Sequence, residues 1–252
     1  MIDSWFEALA VIAAGAAAGG INTIVGSGTL ITFPTLLAFG LPPVVANVTN
    51  NVGLVPGSVS GALGDRESLT GQRRRLLTLL PASLLGAGVG ALLLLRLPSS
   101  AFDSIVPFLI GLGVVLVIVG PWLSRRLATR AAPGQREWSW WVWPAVGLTG
   151  VYGGYFGAAQ GVLLMAVLGI GIDDTMRRHN ATKNVLSAAT NGLAAVVFAL
   201  VAHIDWAAAG LVALGAVVGG QIGARIGKRI SPWALRVLIV LVGVIAIVKL
   251  SF

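Results

Sequence analysis

Two glycine-rich breaks carry the residues best placed for chemistry. Gly26-Ser27-Gly28-Thr29-Leu30 and Gly157-Ala158-Ala159-Gln160-Gly161 interrupt long apolar stretches about half a chain apart. Each is followed by a short apolar run and then an asparagine–threonine cluster, Asn47-Val48-Thr49-Asn50-Asn51 and Asn180-Ala181-Thr182-Lys183-Asn184. The breaks recur at a shift of 131 (157 − 26) and the clusters at a shift of 133 (180 − 47), so the second copy has gained two residues, most simply Arg177 and Arg178. A helix that stops and restarts presents free N–H groups and a partial positive charge at its new N-terminus. Glycine lets the backbone turn there and lets a ligand approach those donors closely. In apolar surroundings no water satisfies them, so another group must. That chemistry favours a small anion. A duplicated broken helix in a membrane protein points to a transport site.

The candidate anion ligands are Asn22, Gly26, Ser27, Gly28 and Thr29 at the first break, and Tyr155, Gly157, Ala158, Gln160 and Gly161 at the second. Asn47, Thr49, Asn50, Asn180, Thr182 and Lys183 come from the clusters. Lys183 is the one basic residue inside a cluster, where the first copy has the neutral Asn50. The chain's two tyrosines, Tyr152 and Tyr155, both lie beside the second break. Simpler roles compete for the same residues. Glycines pack membrane helices together, Asn and Thr cap helices, Lys183 can snorkel to a surface, and the tyrosines can be interfacial. No Asp or Glu falls near either break, where a cation or proton-coupled site would carry one. No catalytic set is visible, and the absence of cysteine excludes disulfides, thiolate metal sites and a Cys nucleophile. The expectation is therefore a non-enzyme without metal or cofactor.

The elements that position these residues are membrane helices. The chain is 56% hydrophobic and 10% charged, with mean hydropathy +0.91, whereas a soluble domain carries about 25% charged residues. The net charge of +8 does not signal nucleic-acid binding, because the basic residues sit in short runs at helix ends, where membrane orientation is encoded. The N-terminal MIDSWFE is acidic and reads as the start of the first helix, not as a signal peptide. We expect an all-α integral membrane bundle of two inverted repeats, each a broken-helix hairpin plus three transmembrane helices. Residues 1–123 form the first repeat (hairpin 5–40, helices 44–63, 76–95 and 102–123), residues 124–137 a cytoplasmic linker, and residues 138–252 the second repeat (hairpin 138–172, helices 185–202, 206–224 and 232–250). If each hairpin enters and returns on one side, the basic clusters around Arg66–Arg75, Arg125–Arg136, Arg177–Lys183 and Arg225–Arg229 all become cytoplasmic. Only Arg96 and Lys249 then lie outside, and both termini are outside. The returning arms begin near Thr29 and Val162, which points both positive helix ends into the membrane from opposite sides.

The same residues carry a resemblance. Gly20-Ile21-Asn22 with Gly26-Ser27-Gly28-Thr29-Leu30, Pro34, Gly40 and Ala46-Asn47-Val48-Thr49 match one half of the pattern. Gly153-Gly154-Tyr155-Phe156-Gly157-Ala158-Ala159-Gln160-Gly161 with Asn180-Ala181-Thr182-Lys183 match the other. In these the chain resembles the sulfite exporter TauE/SafE family of bacterial permeases over nearly its whole length. The second tip departs from the family's glycine-richer pattern at Ala158, Ala159 and Gln160. The resemblance implies a bacterial inner-membrane permease, possible as a homodimer, for a sulfur-containing anion such as sulfite, an organosulfonate or sulfoacetate. The residues alone reach a small-anion permease working by alternating access between the two tips. A passive anion channel and a non-transporting membrane assembly factor are the alternatives. The partners expected are a small inorganic or organosulfur anion and the lipid bilayer, with no nucleic acid.

Overall fold

The structure, a computed structural model, describes residues 4–128, 139–227 and 232–251. Positions 129–138 lie outside the described residues, and with them most of the expected linker and the first residue of the second expected hairpin, Trp138. The described residues are all-helical: α1 (Trp5–Ile24), α2 (Thr29–Ala38), α3 (Pro43–Gly64), a 3-10 turn (Arg66–Leu69), α4 (Arg73–Arg96), α5 (Ser99–Ala128), α6 (Val142–Tyr155), α7 (Gln160–Gly171), α8 (Met176–Val201), α9 (Trp206–Ile226) and α10 (Pro232–Ser251). Five of them are long and apolar enough to cross a membrane. Large apolar side chains such as Leu85, Phe108, Leu200 and Leu214 are exposed around the bundle, as expected where lipid is the solvent. The protein is a multi-pass membrane protein.

Helix starts follow local chemistry. Ser4 and Glu7 form a reciprocal capping box before α1. Pro43 opens α3 at a position where a missing N–H costs nothing. The Thr175 side chain caps α8, accepting from the Arg178 N–H, and Asp205 caps α9, accepting from the Ala208 N–H. Helix α8 therefore begins nine residues before the expected 185 (185 − 176). The polar run Asn180–Asn184 lies inside it, and Asn47–Asn51 likewise lie inside α3. The capping role open to those residues is thus excluded: their backbones are already helical. Helix α5 continues to Ala128, five residues past the expected end at 123 (128 − 123).

Helices α3 and α8 pack together at the centre and run in opposite directions. Thr49, near the start of α3, accepts from the Asp205 N–H (3.1 Å), just past the end of α8. Gln72, beyond the end of α3, meets Thr182 (2.8 Å) and the Arg178 carbonyl (3.1 Å) at the start of α8. Around this pair the packing partners swap between halves. Helix α1 packs on α9 as α6 packs on α4, α3 on α9 as α8 on α4, and α5 on α7 as α10 on α2, while α5 meets α10. Close approach depends on small residues. A Cβ at Gly15 or Gly19 of α1 would fall 2.6 or 2.3 Å from a carbonyl oxygen of α9, and one at Gly86 or Gly90 of α4 would fall 2.0 Å from a carbonyl of α6.

Both broken pairs are hairpins. Helix α1 runs parallel to α9, Gly15 lying beside Val212 and Gly19 beside Ala216. It ends with Thr23 under Gly61, close to the end of α3. Helix α2 then returns toward the opposite face, where Gly40 and Leu41 share a cavity of about 420 Å³ with His203, Ile204 and Asp205. In the second hairpin the two arms are joined at their open end by Ser139 N–H to Gly171 O (3.2 Å). Its tip reaches the start of α3, where Asn47 Nδ2 donates to Tyr155 O (2.9 Å).

Candidate functional site

The two tips are copies at the level of single hydrogen bonds. In the first, the N–H groups of Val25 and Gly26 both reach the Ile21 carbonyl (2.7 and 3.0 Å). In the second, those of Phe156 and Gly157 both reach the Tyr152 carbonyl (2.9 and 3.0 Å). This closes the helix on a residue with positive φ, +87° at Gly26 and +78° at Gly157, which glycine adopts without strain. The returning helices start alike, with Ile31 and Thr32 donating to Gly28 O, and Val162 and Leu163 donating to Ala159 O. Every pair keeps the shift of 131 read from the sequence.

Two bonds break the match: Gln160 N–H reaches Gly157 O (3.2 Å) with no counterpart at Thr29, and another joins the tips. Leu30 N–H bonds within its own tip to Ser27 O (3.1 Å), but its counterpart Gly161 N–H crosses to Gly26 O in the other tip (3.0 Å). The carbonyl left free in the second tip, Ala158 O, accepts from Tyr152 OH (2.6 Å). A Cβ at Gly26 would lie 2.4 Å from Gly161 Cα, so the tips touch and the space between them is closed in this conformation. Ala159 carries φ +60°, the one non-glycine positive φ among the described residues.

The tips bring several expected ligands together. Gly26, Ser27, Gly28, Thr29, Ala158, Gln160 and Gly161 are buried, with Gly157 half-buried beside them. Ser27 Oγ, Gln160 Nε2 and the Tyr155 hydroxyl are buried with no hydrogen-bond partner. Among the described residues' backbone bonds, none uses the N–H of Ser27, Gly28 or Thr29, or of Ala158 or Ala159. Buried donors without partners are costly, about 1–3 kcal/mol each. The tips gather several such groups, while others are the side chains of Asn51, His179, Asn184 and Ser187.

The cluster residues divide. Asn50 bonds Thr29 Oγ1 (3.4 Å) and Thr32, within the first repeat. Asn47 satisfies the Tyr155 carbonyl at the end of α6 and leaves its Oδ1 unpartnered. Thr49 and Thr182 face away from the tips, toward the residues at the helix N-caps, Asp205 before α9 and Gln72 before α4. Those N-caps are themselves 133 apart (205 − 72). Asn180 is half-buried and is not brought to the tips. Asn22 bonds Ser58 Oγ through its side chain (3.1 Å).

Lys183 does not snorkel. It is fully buried, and its Nζ donates to the carbonyls of Asn22 (3.0 Å) and Thr23 (3.1 Å) at the C-terminal end of α1. Its stem lies against Gly161, where a Cβ would come within 3.1 Å of Lys183 Cδ. A cation at a helix C-terminus is favourable. Here it also lies across the contact between the tips.

The basic end of the bundle is fastened across the two halves. Asp174 Oδ2 takes Arg75 (2.8 Å) and Arg178 Nε (2.8 Å). Arg178 also donates to Thr70 O (2.9 Å), and Arg75 to Gln72 Oε1 (2.5 Å). Arg177 approaches Asp65 and Glu67 at 3.9 Å. Burial of Asp174 opposes its charge, but bonds from Arg178, the Thr175 N–H and Arg75 outweigh that and hold its carboxyl below the usual range. Sequence reasoning read the arginine runs as orientation signals and passed over Gln72 and Asp174. The extra pair Arg177–Arg178 was the available signal, since residues that break a repeat need a separate job.

With this geometry in place, comparison with known proteins is consistent. The family model described as Sulfite exporter TauE/SafE matches residues 11–250. A "Probable membrane transporter protein" of Haemophilus influenzae is 23% identical over 252 residues, covering 100% of this chain and 97% of its own. "Probable membrane transporter protein YfcA" of Escherichia coli is 26% identical over 239 residues, covering 93% and 86%. "Probable membrane transporter protein ORF9" of a Sinorhizobium species is 27% identical, covering 99% and 95%. The fold, the paired hairpins and a match over almost the whole chain lead to one conclusion: this membrane transporter belongs to the sulfite exporter TauE/SafE family.

Proposed function

We propose that the chain is a permease for a small sulfur-containing oxyanion, sulfite or an organosulfonate, held between the two hairpin tips and exchanged by alternating access of two inverted repeats. The observation that carries this reading is the meeting of two re-entrant tips whose donors lack partners: Ser27 Oγ, Gln160 Nε2 and the adjoining backbone N–H groups. An oxyanion is the ligand that such a set of donors satisfies. The opposed directions of α3 and α8, with packing partners that exchange between halves, support inverted repeats. The contact of Gly161 N–H with Gly26 O closes the tips, which favours a carrier over a standing pore. The cross-repeat ion pairs at Asp174 add a closure on the basic face, which we take as cytoplasmic in a bacterial inner membrane, with both termini outside.

The test is flux through purified protein in liposomes. Sulfite and methanesulfonate should each move with saturable kinetics at carrier rates. Conductance far above such rates would replace the carrier with a channel. No movement of any sulfur oxyanion by stable, inserted protein would remove the transport reading.

A further inference from the structure

Four helix ends meet at the tips, not two. The returning helices α2 and α7 bring N-termini, but the entering helices α1 and α6 bring C-termini to the same places. The partial charges of such ends are about equal and opposite, so each hairpin tip is close to neutral as a whole. What the hairpins supply to an anion is therefore direction, through N–H groups at contact distance, and little net charge. The carbonyl ends are also covered one by one. Asn47 takes Tyr155 O and Tyr152 OH takes Ala158 O, both as neutral donors. The Asn22 and Thr23 carbonyls are instead covered by Lys183, the one formally charged side chain among those bonded at the tips. Its Nζ has three N–H donors, and two are engaged. Its repeat counterpart Asn50 is neutral and bonded to Thr29. No carboxylate approaches Lys183 within ion-pair distance among the described residues.

A site that is buried, lined by donors and furnished with one lysine, which an arriving anion would hold protonated, balances one negative charge. A second negative charge would stay uncompensated in a low-dielectric interior, at a cost that runs to several kcal/mol. We propose, resting on the tip site described above, that this transporter selects anions that bring one negative charge to the tips, such as an organosulfonate group or hydrogen sulfite, over a compact dianion such as sulfate. The charge selection comes from Lys183 alone, and the tips contribute shape and hydrogen bonds.

The experiment compares methanesulfonate and sulfate at matched ionic strength, by thermal stabilisation of purified protein and by flux in liposomes. Methanesulfonate should stabilise the protein and be carried, with sulfate weaker by about tenfold or more in apparent affinity. Lys183→Gln, whose amide can still donate to an α1 carbonyl, should lose most of the methanesulfonate response. Sulfate bound as well as methanesulfonate by the unaltered protein would overturn the monoanion rule and leave the tip site standing. An unchanged methanesulfonate response in Lys183→Gln would overturn it equally. Because the wild-type comparison decides the question by itself, a variant that fails to fold does not remove the test. Failure of both anions in both assays would strike the transport reading on which the rule rests.

Discussion

Replacing Gly26 by alanine probes the contact between the tips against a built-in control. Gly26 and Gly40 have nearly the same backbone, φ +87° and +85°. Around Gly40 a Cβ would meet nothing within 4 Å, whereas at Gly26 it would lie 2.4 Å from Gly161 Cα. Gly40→Ala therefore bears only the left-handed backbone cost, about 1–2 kcal/mol. Gly26→Ala bears the same cost. It adds about 1–3 kcal/mol for forcing a methyl into packed backbone and about 0.5–1.5 kcal/mol for straining the Gly161 N–H bond to Gly26 O. We expect Gly26→Ala to destabilise by about 2.5–6.5 kcal/mol in all, exceeding the effect of Gly40→Ala by about 1.5 kcal/mol or more. Unfolding in mixed micelles, followed by tryptophan fluorescence, reads the difference. Anion flux in liposomes should fall sharply for Gly26→Ala and stay near normal for Gly40→Ala. Equal destabilisation by the two variants would refute the reasoning, because the tips would then not be in contact in the populated state.

Three further outcomes follow from other parts of the molecule. Asp174→Asn removes the partner of both Arg75 and Arg178 and should cost about 2 kcal/mol, the range of a charge-assisted bond. Because the folded Asp174 carboxyl is held below its ordinary range, its contribution is present above the unfolded value and is lost as pH falls through the folded one. The stabilities of wild type and Asp174→Asn should thus differ at neutral and mildly acidic pH and converge only below the usual carboxylate range. Convergence already at neutral pH would mean that the ion pairs do not fasten the halves. Ala159→Gly should raise stability by about 1 kcal/mol or less, since relief of the left-handed strain at φ +60° outweighs the added chain entropy, and a loss of stability in the same unfolding assay would count against it. Single cysteines at the exposed Glu67 and His203 positions, in a chain with none of its own, should divide by side. His203→Cys should react with an impermeant reagent on intact cells and Glu67→Cys only after permeabilisation, and the reverse pattern would invert the orientation.

The tips were legible because their constraint is local. A positive φ favours glycine, so Gly26 and Gly157 stood out, and the shift of 131 reappears bond for bond between Ile21–Gly26 and Tyr152–Gly157. The start of α8 was missed for the opposite reason. Asp173–Arg178 is too polar to read as membrane helix, yet the Thr175 cap starts the helix there and the Asp174–Arg75–Arg178 ion pairs hold it against the other half. The job of Lys183 could not be read from its neighbours at all. Its partners, the Asn22 and Thr23 carbonyls, lie 161 and 160 residues away and are backbone atoms, which residue types do not reveal. The same blindness hid the C-terminal helix ends at the tips. A break was read for the N–H groups it frees, while the carbonyls it also frees must be covered by something distant, here Lys183, Asn47 and Tyr152.

Ser27→Cys tests the central claim most directly, because it exchanges a fully buried, unpartnered hydroxyl at the first tip for the chain's sole thiol. The rate of its modification by a small thiol reagent is measured in liposomes with and without methanesulfonate, alongside flux of the same anion. If the anion sits between the tips, saturating methanesulfonate slows modification, with half-protection at the concentration that half-saturates flux. An unchanged modification rate under conditions where the protein carries methanesulfonate would place the anion's path elsewhere in the bundle and contradict the account.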